Sequence, residues 1–376
     1  MKMNENVNSL LMKVNGLSKA EQMALAEQIM KNLSAPAATR KNSCLELVAS
    51  NGAEKPYCPH CHAKAATGWV IKRGMNRGAP RYYCKSCGKY FVSTTNTVFE
   101  RSRKDADVWK KFIALTIAGK SLHECSAECG ISYQTAFTWR HKVLNAFVAN
   151  QEAVQMNGTI EVDEMLIPLS YKGNHIKGSF GGRKLEPGVD SGMPRKAFKR
   201  GTDNKSTSSK NKACVFCMVE DGNKGFYASV PGVGFMMPDM LRATVDKHVN
   251  KQTALMLADQ YTITRKYFED NGYKHRILSA NTSDNPHDHK PEIADGLHMQ
   301  HVNNMHRYLR AFLAKYCGVS SKYLANYVAL YTWLKTVQLS KQRNGEEKAS
   351  LARAAMPDCY VSRKSLESRP AIPTCA

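Results

Sequence analysis

Alternating apolar and polar residues mark one stretch of the chain as a strand that carries carboxylates. Residues 159–165 read Thr-Ile-Glu-Val-Asp-Glu-Met, and this alternation places Ile160 and Val162 on one face of a strand. Glu161 and Asp163 then lie on the opposite face. A carboxylate held on a core strand has to be paired or bound to a cation such as a metal ion. The pattern therefore predicts a buried strand with a cation-binding face.

Strands and helices alternate in the segments that follow. Apolar runs at 213–219 and 225–230 predict two strands, and the run 254–258 predicts a strand that delivers Asp259 at its carboxyl end. A helix through Tyr267 and a strand at 275–278 complete the series. Three consecutive strands followed by alternating helices and strands are the order of a ribonuclease-H-like fold. In such a sheet, carboxylates on neighbouring strands lie close enough for divalent ions to bridge them.

A helical period of apolar residues begins near residue 300. Asn303, His306 and Arg310 fall on a stripe beside the apolar one, which places an amide, a phosphate-contacting imidazole and a fixed cation on one side of the helix. A solvated helix face is the alternative that composition alone favours. The apolar stripe consists of Val302, Met305, Leu309, Phe312 and Leu313.

Residues 104–150 also show a helical period. Gly130 marks a turn between a short helix and a longer helix that Ser132 caps. Such a turn is typical of a helix-turn-helix, whose second helix presents its first residues to DNA. A plain helical linker is the alternative. The residues predicted to reach base edges or phosphates are Tyr133, Gln134, Thr135, Thr138 and Arg140.

Two Cys-x-x-Cys pairs predict a metal site. Cys58 and Cys61 form the first pair, Cys84 and Cys87 form the second, and 22 residues separate the pairs. Each pair presents two thiolates, and four thiolates complete the tetrahedral shell of structural Zn²⁺ in a zinc ribbon. Four unrelated buried thiols are the alternative.

The charge of the chain indicates its partners. The 376 residues carry a formal net charge of +22, which favours nucleic acid as a partner over a generic basic surface. No apolar run reaches the ~18 residues of a membrane span. The amino terminus is polar where a signal peptide is apolar, so a cytoplasmic location is predicted.

A basic, Gly/Ser-rich insertion at 171–212 follows the first carboxylate strand. A run of charge is usually a solvated face, but its position beside the predicted metal strand favours contact with the DNA backbone. The residues predicted to make that contact are Lys172, Lys177, Arg183, Lys184, Lys199 and Arg200.

The segments that predict these sites also resemble a known family. The four paired cysteines, the motif Glu161-Val-Asp-Glu164, Leu257-Ala-Asp259, residues 298–310 and their continuation 318–327 are similar to those of bacterial insertion-sequence transposases. That group combines an N-terminal zinc ribbon, a helix-turn-helix and a DD(E/N)K-type ribonuclease-H-like catalytic domain. The resemblance covers residues 55–335.

The resemblance implies a multidomain chain whose α/β catalytic domain is of the retroviral-integrase type. Ser18 and Glu21 have the spacing of a helix capping box, and the first segment is an accessory helical element or an extension of the next module. The predicted boundaries are 1–54 for the N-terminal helical segment and linker, 55–98 for the zinc ribbon, 99–152 for the helix-turn-helix, 155–340 for the catalytic domain and 341–376 for a polar tail.

The resemblance also implies roles for individual residues. Asp163 and Asp259 stand at the positions of the two metal-binding aspartates, which bind Mg²⁺ or Mn²⁺. Asn303 stands where most related enzymes have Glu, and an amide binds metal more weakly and cannot act as a base. Arg310 stands where the family has a basic residue, typically Lys. Its planar guanidinium donates hydrogen bonds in fixed directions, in place of the single ammonium group of Lys.

The function implied is that of a DNA transposase. It binds the terminal inverted repeats of an insertion sequence, hydrolyses the phosphodiester at the element end and joins the freed 3′-hydroxyl to target DNA. The implied partners are double-stranded DNA and further copies of the chain in a homodimer or larger synaptic assembly, in the bacterial nucleoid. A DNA-binding regulator with an inactive catalytic remnant and a nuclease without joining activity are the competing hypotheses. Glu292 and Asp295 are the alternative acids.

Overall fold

The computed structural model describes residues 18, 20–23, 57–63, 68–76, 79–152, 154–170, 212–223, 225–279, 293, 295–339 and 359–370. These residues belong to two compact units, one that ends at Ser93 and one that begins at Thr94. Glu292 and the six predicted basic contacts of the 171–212 insertion lie outside the described residues. Ser18 and Glu21 form the predicted capping box, because Ser18 N–H donates to Glu21 Oε2 and Glu21 N–H donates to Ser18 Oγ.

The first unit contains a small antiparallel sheet. Its strands are β1 (Val70–Asn76), β2 (Ala79–Cys84) and β3 (Tyr90–Phe91), in the order β1-β2-β3. The buried side chains of this sheet are few, and two of them are cysteines; the cluster consists of Cys58, Val70, Cys84 and Phe91. So small an apolar core needs a further source of stability, such as a bound metal ion.

The second unit begins with three helices, α1 (Ala106–Ile117), α2 (Leu122–Cys129) and α3 (Tyr133–Gln151). Ser121 and Glu124 form a capping box at the start of α2. Gly130 ends that helix in the left-handed conformation with φ of 57°, which glycine adopts without strain. The predicted turn between a short and a longer helix is therefore present.

Arg140 on α3 is buried, contrary to the prediction that it contacts DNA. Its side chain is folded into the helical region, and the residue is 1% exposed. The guanidinium Nη2 donates to Lys120 O at 2.6 Å and lies 3.2 Å from Cys125 Sγ. Because the side chain is buried and its Nη2 is bonded inside the protein, Arg140 is not available to DNA.

A mixed five-stranded sheet forms the centre of the second unit. Its strands are β4 (Thr159–Pro168), β5 (Lys212–Glu220), β6 (Phe226–Val233), β7 (Leu255–Ala258) and β8 (Lys274–Ile277). They lie in the order β6-β5-β4-β7-β8. β5 is antiparallel to β4 and to β6, whereas β7 is parallel to both β4 and β8. The predicted series of three strands followed by alternating helices and strands is confirmed.

Helices cover both faces of this sheet. On one face, α4 (Pro238–His248) and α5 (Thr262–Asp270) share an apolar cluster with Ile160 and Val162 of β4. On the other face, α6 (Gln300–Ala314) packs on β4 and β5. The alternation of β4 thus divides an apolar face from the carboxylate face that α6 covers.

Two helices complete the described part of the second unit. α7 (Leu324–Leu339) packs on β6 and on α3, and this joins the helical region to the sheet. The short α8 (Arg363–Glu367) starts at Ser362, whose Oγ accepts from Ser365 N–H. None of the described helices is both long and apolar enough to cross a membrane.

We expect Arg140→Ala to lower the free energy of unfolding by about 1–3 kcal/mol, because the Lys120 carbonyl loses its buried donor. The measurement is chemical denaturation of the full chain. Gln134→Ala, an exposed position on the same helix, is the matched control and is expected to change stability by less than about 0.5 kcal/mol. An Arg140→Ala protein with unchanged stability but impaired DNA binding would show that the residue contacts DNA.

Candidate active site

The four predicted zinc ligands lie together in the first unit. The first pair lies on a turn at 58–61, and the second pair begins at Cys84, the last residue of β2, and ends at Cys87 on the turn that follows. Cys58 Sγ is 3.6 Å from Cys87 Sγ, and Cys61 Sγ is 3.5 Å from Cys84 Sγ. Tetrahedral Zn²⁺ with bonds of about 2.3 Å holds its sulfurs about 3.8 Å apart. The cluster therefore fits one structural zinc ion.

The two predicted metal aspartates lie on neighbouring parallel strands, with Asp163 in the middle of β4 and Asp259 directly after the last residue of β7. β4 and β7 pair with Glu161 opposite Leu257, so two further positions along both strands bring Asp163 beside Asp259. Asp163 Oδ1 accepts from Glu164 N–H at 2.8 Å, and Asp259 Oδ1 accepts from Tyr261 N–H at 3.0 Å. These backbone contacts fix one oxygen of each carboxylate.

The surroundings of Asp163 disfavour its charged form. Burial, and then the nearby Asp259 and Glu164, raise the pKa of Asp163 to about 7, while Arg310 acts in the opposite direction. Burial, and then Asp259, also raise the pKa of Glu164 to about 7. Carboxylates gathered in this way attract a divalent cation, and their oxygens are the ligands that Mg²⁺ and Mn²⁺ prefer.

His306 of α6 faces Asp163, although the sequence placed it on a stripe that contacts phosphate. The residue is buried, and its Nδ1 lies 3.6 Å from Asp163 Oδ2. Burial, with Arg310 as the second cause, lowers the pKa of His306 to about 4, so the imidazole is neutral near pH 7. A neutral ring beside Asp163 can orient the carboxylate or donate a nitrogen to a metal ion.

The other two predicted residues of α6 differ in their placement. Arg310 is close enough to Asp163 to lower its pKa, as expected of a cation at the site. Asn303 is exposed on the first turn of α6, where its backbone N–H donates to Met299 O at 3.3 Å. Among the described residues, no side-chain hydrogen bond connects Asn303 with Asp163 or Asp259.

Glu161 fastens α6 to β4. The start of this helix has no side-chain cap of its own, and Glu161 Oε2 accepts from Val302 N–H at 2.9 Å. A carboxylate at a helix N-terminus satisfies a free N–H and interacts favourably with the helix dipole. Sequence reasoning missed this contact, although the alternation had already placed Glu161 on the same face as Asp163.

The residues of α3 that were predicted to contact DNA differ in their exposure to solvent. Tyr133 and Gln134 are exposed, whereas Thr135 and Thr138 are half-buried. Thr138 Oγ1 donates to Gln134 O at 3.0 Å, and Ser132 Oγ caps the helix by accepting from Thr135 N–H. The first turn of α3 therefore presents Tyr133 and Gln134 to solvent.

The alternative acid Asp295 has a separate partner. Its Oδ2 lies 2.6 Å from Arg276 Nη1, and its side chain is exposed. An acid paired at the surface does not take the place of a third buried ligand.

Comparison with known proteins gives one informative similarity. No family model matches the chain. A segment of 167 residues is 28% identical to a protein of Halobacterium salinarum described as an uncharacterized protein in transposable element ISH50. The chain is thus similar to a mobile-element protein. The match covers 44% of this chain and 50% of that relative, so the chain spans about half of the relative's length.

We expect the raised pKa of Asp163 to make Asp163→Asn stabilising in buffer without added divalent cations. Ionisation of a carboxyl whose folded-state pKa is raised opposes folding. This loss of folding free energy is therefore absent below about pH 4 and complete above about pH 7, where it amounts to roughly a few kcal/mol. Thermal unfolding should show a higher midpoint for Asp163→Asn at pH 8 and no difference at pH 4.

The control for this experiment is Asp239→Asn, because that side chain is 86% exposed. Its unfolding midpoint should follow that of the parent at every pH. Added Mn²⁺ should raise the midpoint of the parent at pH 8 and leave that of Asp163→Asn nearly unchanged. Curves for Asp163→Asn and the parent that stay parallel from pH 4 to pH 8 contradict the expected titration.

Proposed function

We propose that the protein is a DNA transposase that cleaves the ends of an insertion sequence and joins them to target DNA. The observation that carries the proposal is that the parallel register of β4 and β7 brings Asp163, in the middle of β4, beside Asp259, which directly follows β7. The strand order β6-β5-β4-β7-β8, with β4 between antiparallel and parallel neighbours, is that expected for a ribonuclease-H-like sheet. The similarity to a transposable-element protein supports the same conclusion.

The chemistry requires two in-line substitutions at phosphorus. Asp163 and Asp259 would hold divalent cations, which would supply activation of the attacking oxygen and stabilisation of the developing charge. Arg310 places a permanent positive charge near the reacting phosphate. His306 holds Asp163 from the helix side. In the first substitution water attacks the phosphodiester at the element end, and the bond to the element's 3′-oxygen breaks, which frees a 3′-hydroxyl. In the second this 3′-hydroxyl attacks a phosphodiester of target DNA and displaces a 3′-hydroxyl of the target strand.

Other parts of the chain serve DNA binding in this proposal. The first unit, which holds the four cysteines and is called the Cys₄ unit below, carries basic and aromatic side chains together. Arg81 lies over the Tyr90 ring at 3.9 Å, and Arg73 lies near Tyr83. The turn between α2 and α3 acts as a helix-turn-helix, in which Tyr133 and Gln134 reach the bases. The net charge of +22 supplies attraction to phosphates. Transposition requires two element ends, so a dimer or larger assembly follows.

A DNA-binding regulator with an inactive catalytic remnant is the second candidate. The placement of Asn303 favours it, because an exposed amide replaces the carboxylate that would complete a metal-binding triad. In that case the Cys₄ unit and the α2–α3 turn would bind DNA, while the pair of aspartates would have no chemical role.

The test is an in vitro reaction with Mg²⁺ and DNA that carries the ends of the mobile element encoding the protein. We expect cleaved and joined products with the parent, and a loss on the order of 10³-fold with Asp163→Ala or Asp259→Ala. DNA binding should persist in both variants. Asp239→Ala changes an exposed aspartate on α4 and is the matched control, with activity equal to that of the parent.

Each alternative predicts a different result in the same reaction. Cleavage without joined products identifies a nuclease. Binding without cleavage by the parent, in Mg²⁺ and in Mn²⁺, identifies the regulator and overturns the transposase.

A further inference from the structure

Two histidines converge on the buried Glu161. His301 Nδ1 lies 2.7 Å from Glu161 Oε1, and His298 Nδ1 lies 3.3 Å from the same oxygen. The other carboxylate oxygen accepts from Val302 N–H. The three side chains offer one oxygen and two nitrogens that all lie within 4.8 Å of one another. The cluster shares no residue with the four cysteines or with the pair of aspartates.

Among the residues that the structure describes, no permanent cation pairs with the charge of Glu161. Its side chain is only 3% exposed, and a buried carboxylate without a cation is costly. Among the described residues, its ion-pair partners are the two imidazoles, which are cationic only when protonated. The N-terminus of α6 adds a partial positive charge. A divalent cation would supply the missing charge and would use the nitrogens of the neutral imidazoles as ligands.

We propose that Glu161, His298 and His301 form a second metal site that binds Zn²⁺. Imidazole nitrogens with one carboxylate suit this ion better than Mg²⁺, which prefers oxygen. Zn²⁺ with bonds of about 2.0–2.1 Å holds tetrahedral ligand atoms about 3.3 Å apart. The distance between His298 Nδ1 and Glu161 Oε1 already has that value, and the 2.7 Å distance between His301 Nδ1 and Glu161 Oε1 would lengthen by about 0.6 Å to match it.

An ion can reach this site from one side. The side chains of His298 and His301 are 25% and 22% exposed, whereas Glu161 closes the interior side. Three protein ligands leave one position for water.

The site joins the two elements that build the candidate active site. Glu161 lies on β4 two residues before Asp163, and His301 lies in the first turn of α6, which also carries His306 and Arg310. A bound ion would fix α6 against β4 and so hold His306 at Asp163. Metal content measures this proposal directly, so it stands or falls independently of transposase activity.

The experiment measures zinc bound to the purified full chain by elemental analysis. We expect two zinc ions per parent chain, one in the Cys₄ cluster and one at Glu161. His301→Asn should lose one ion, because an asparagine amide can still donate a hydrogen bond to Glu161 but is a poor zinc ligand. His275→Asn is the matched control, since His275 is a half-buried histidine 3.9 Å from Glu269, and should retain both ions.

Substitution of Co²⁺ for zinc assigns the lost ion. Cobalt bound to thiolates gives an intense near-ultraviolet charge-transfer band, whereas nitrogen and oxygen ligands give only weaker visible bands. We expect His301→Asn to keep the thiolate band and lose the visible bands of the second site. Retention of the thiolate band and of the far-ultraviolet circular dichroism of the parent shows that the variant is folded.

A parent that binds one zinc ion per chain, with the same content in His301→Asn, overturns the proposal and leaves Glu161 as a hydrogen-bonded anchor of α6. If His301→Asn does not fold, His298→Asn replaces it, because the longer contact of His298 contributes less to the anchor. Loss of one ion in that variant is the supporting result, and retention of both ions is the contradicting one.

Discussion

The carboxylate face of β4 is the feature on which the second unit depends. One strand places Ile160 and Val162 in the apolar cluster beneath α4 and α5, and the same alternation places Glu161 and Asp163 beneath α6. Buried carboxylates cannot remain without partners. α6 supplies those partners at successive turns, first with its own N-terminus and then with His306 and Arg310. The packing of this helix and the chemistry of the site are therefore one arrangement.

The same constraint acts elsewhere in the chain, with different solutions. In the helical region, the buried guanidinium of Arg140 donates to the Lys120 carbonyl, so a cation is held by backbone oxygen. In the first unit, the four cysteines replace most of an apolar core, and their spacing suits zinc. Around Asp163 the internal partners are incomplete, because Asp259 and Glu164 still raise the pKa of Asp163, and Asp259 raises that of Glu164. An incomplete set of partners is what distinguishes a ligand-binding site from a structural contact.

The predictions from the sequence were correct where a local pattern of residues determines the structure. The Cys-x-x-Cys spacing named the four clustered thiols, the turn at Gly130 separated two helices, and the period-two pattern of β4 assigned its two faces. They failed for side chains whose surroundings come from distant segments. Arg140 was predicted to contact DNA, because the sequence of α3 alone does not reveal that the Lys120 carbonyl is its partner. His306 was predicted to contact phosphate, because the helical period does not reveal that α6 places this side chain against Asp163.

By itself, the sequence determined which elements form, which face of each is apolar and which residue types could serve as ligands. These properties depend on neighbours within a few positions, where helical and extended periods are fixed by backbone geometry. Only the tertiary structure decided which polar groups are buried together. Glu161 and His301 are 140 positions apart, and Arg140 and Lys120 are 20 apart. Whether such groups meet depends on how the sheet and helices pack, since burial and pairing are properties of both partners at once.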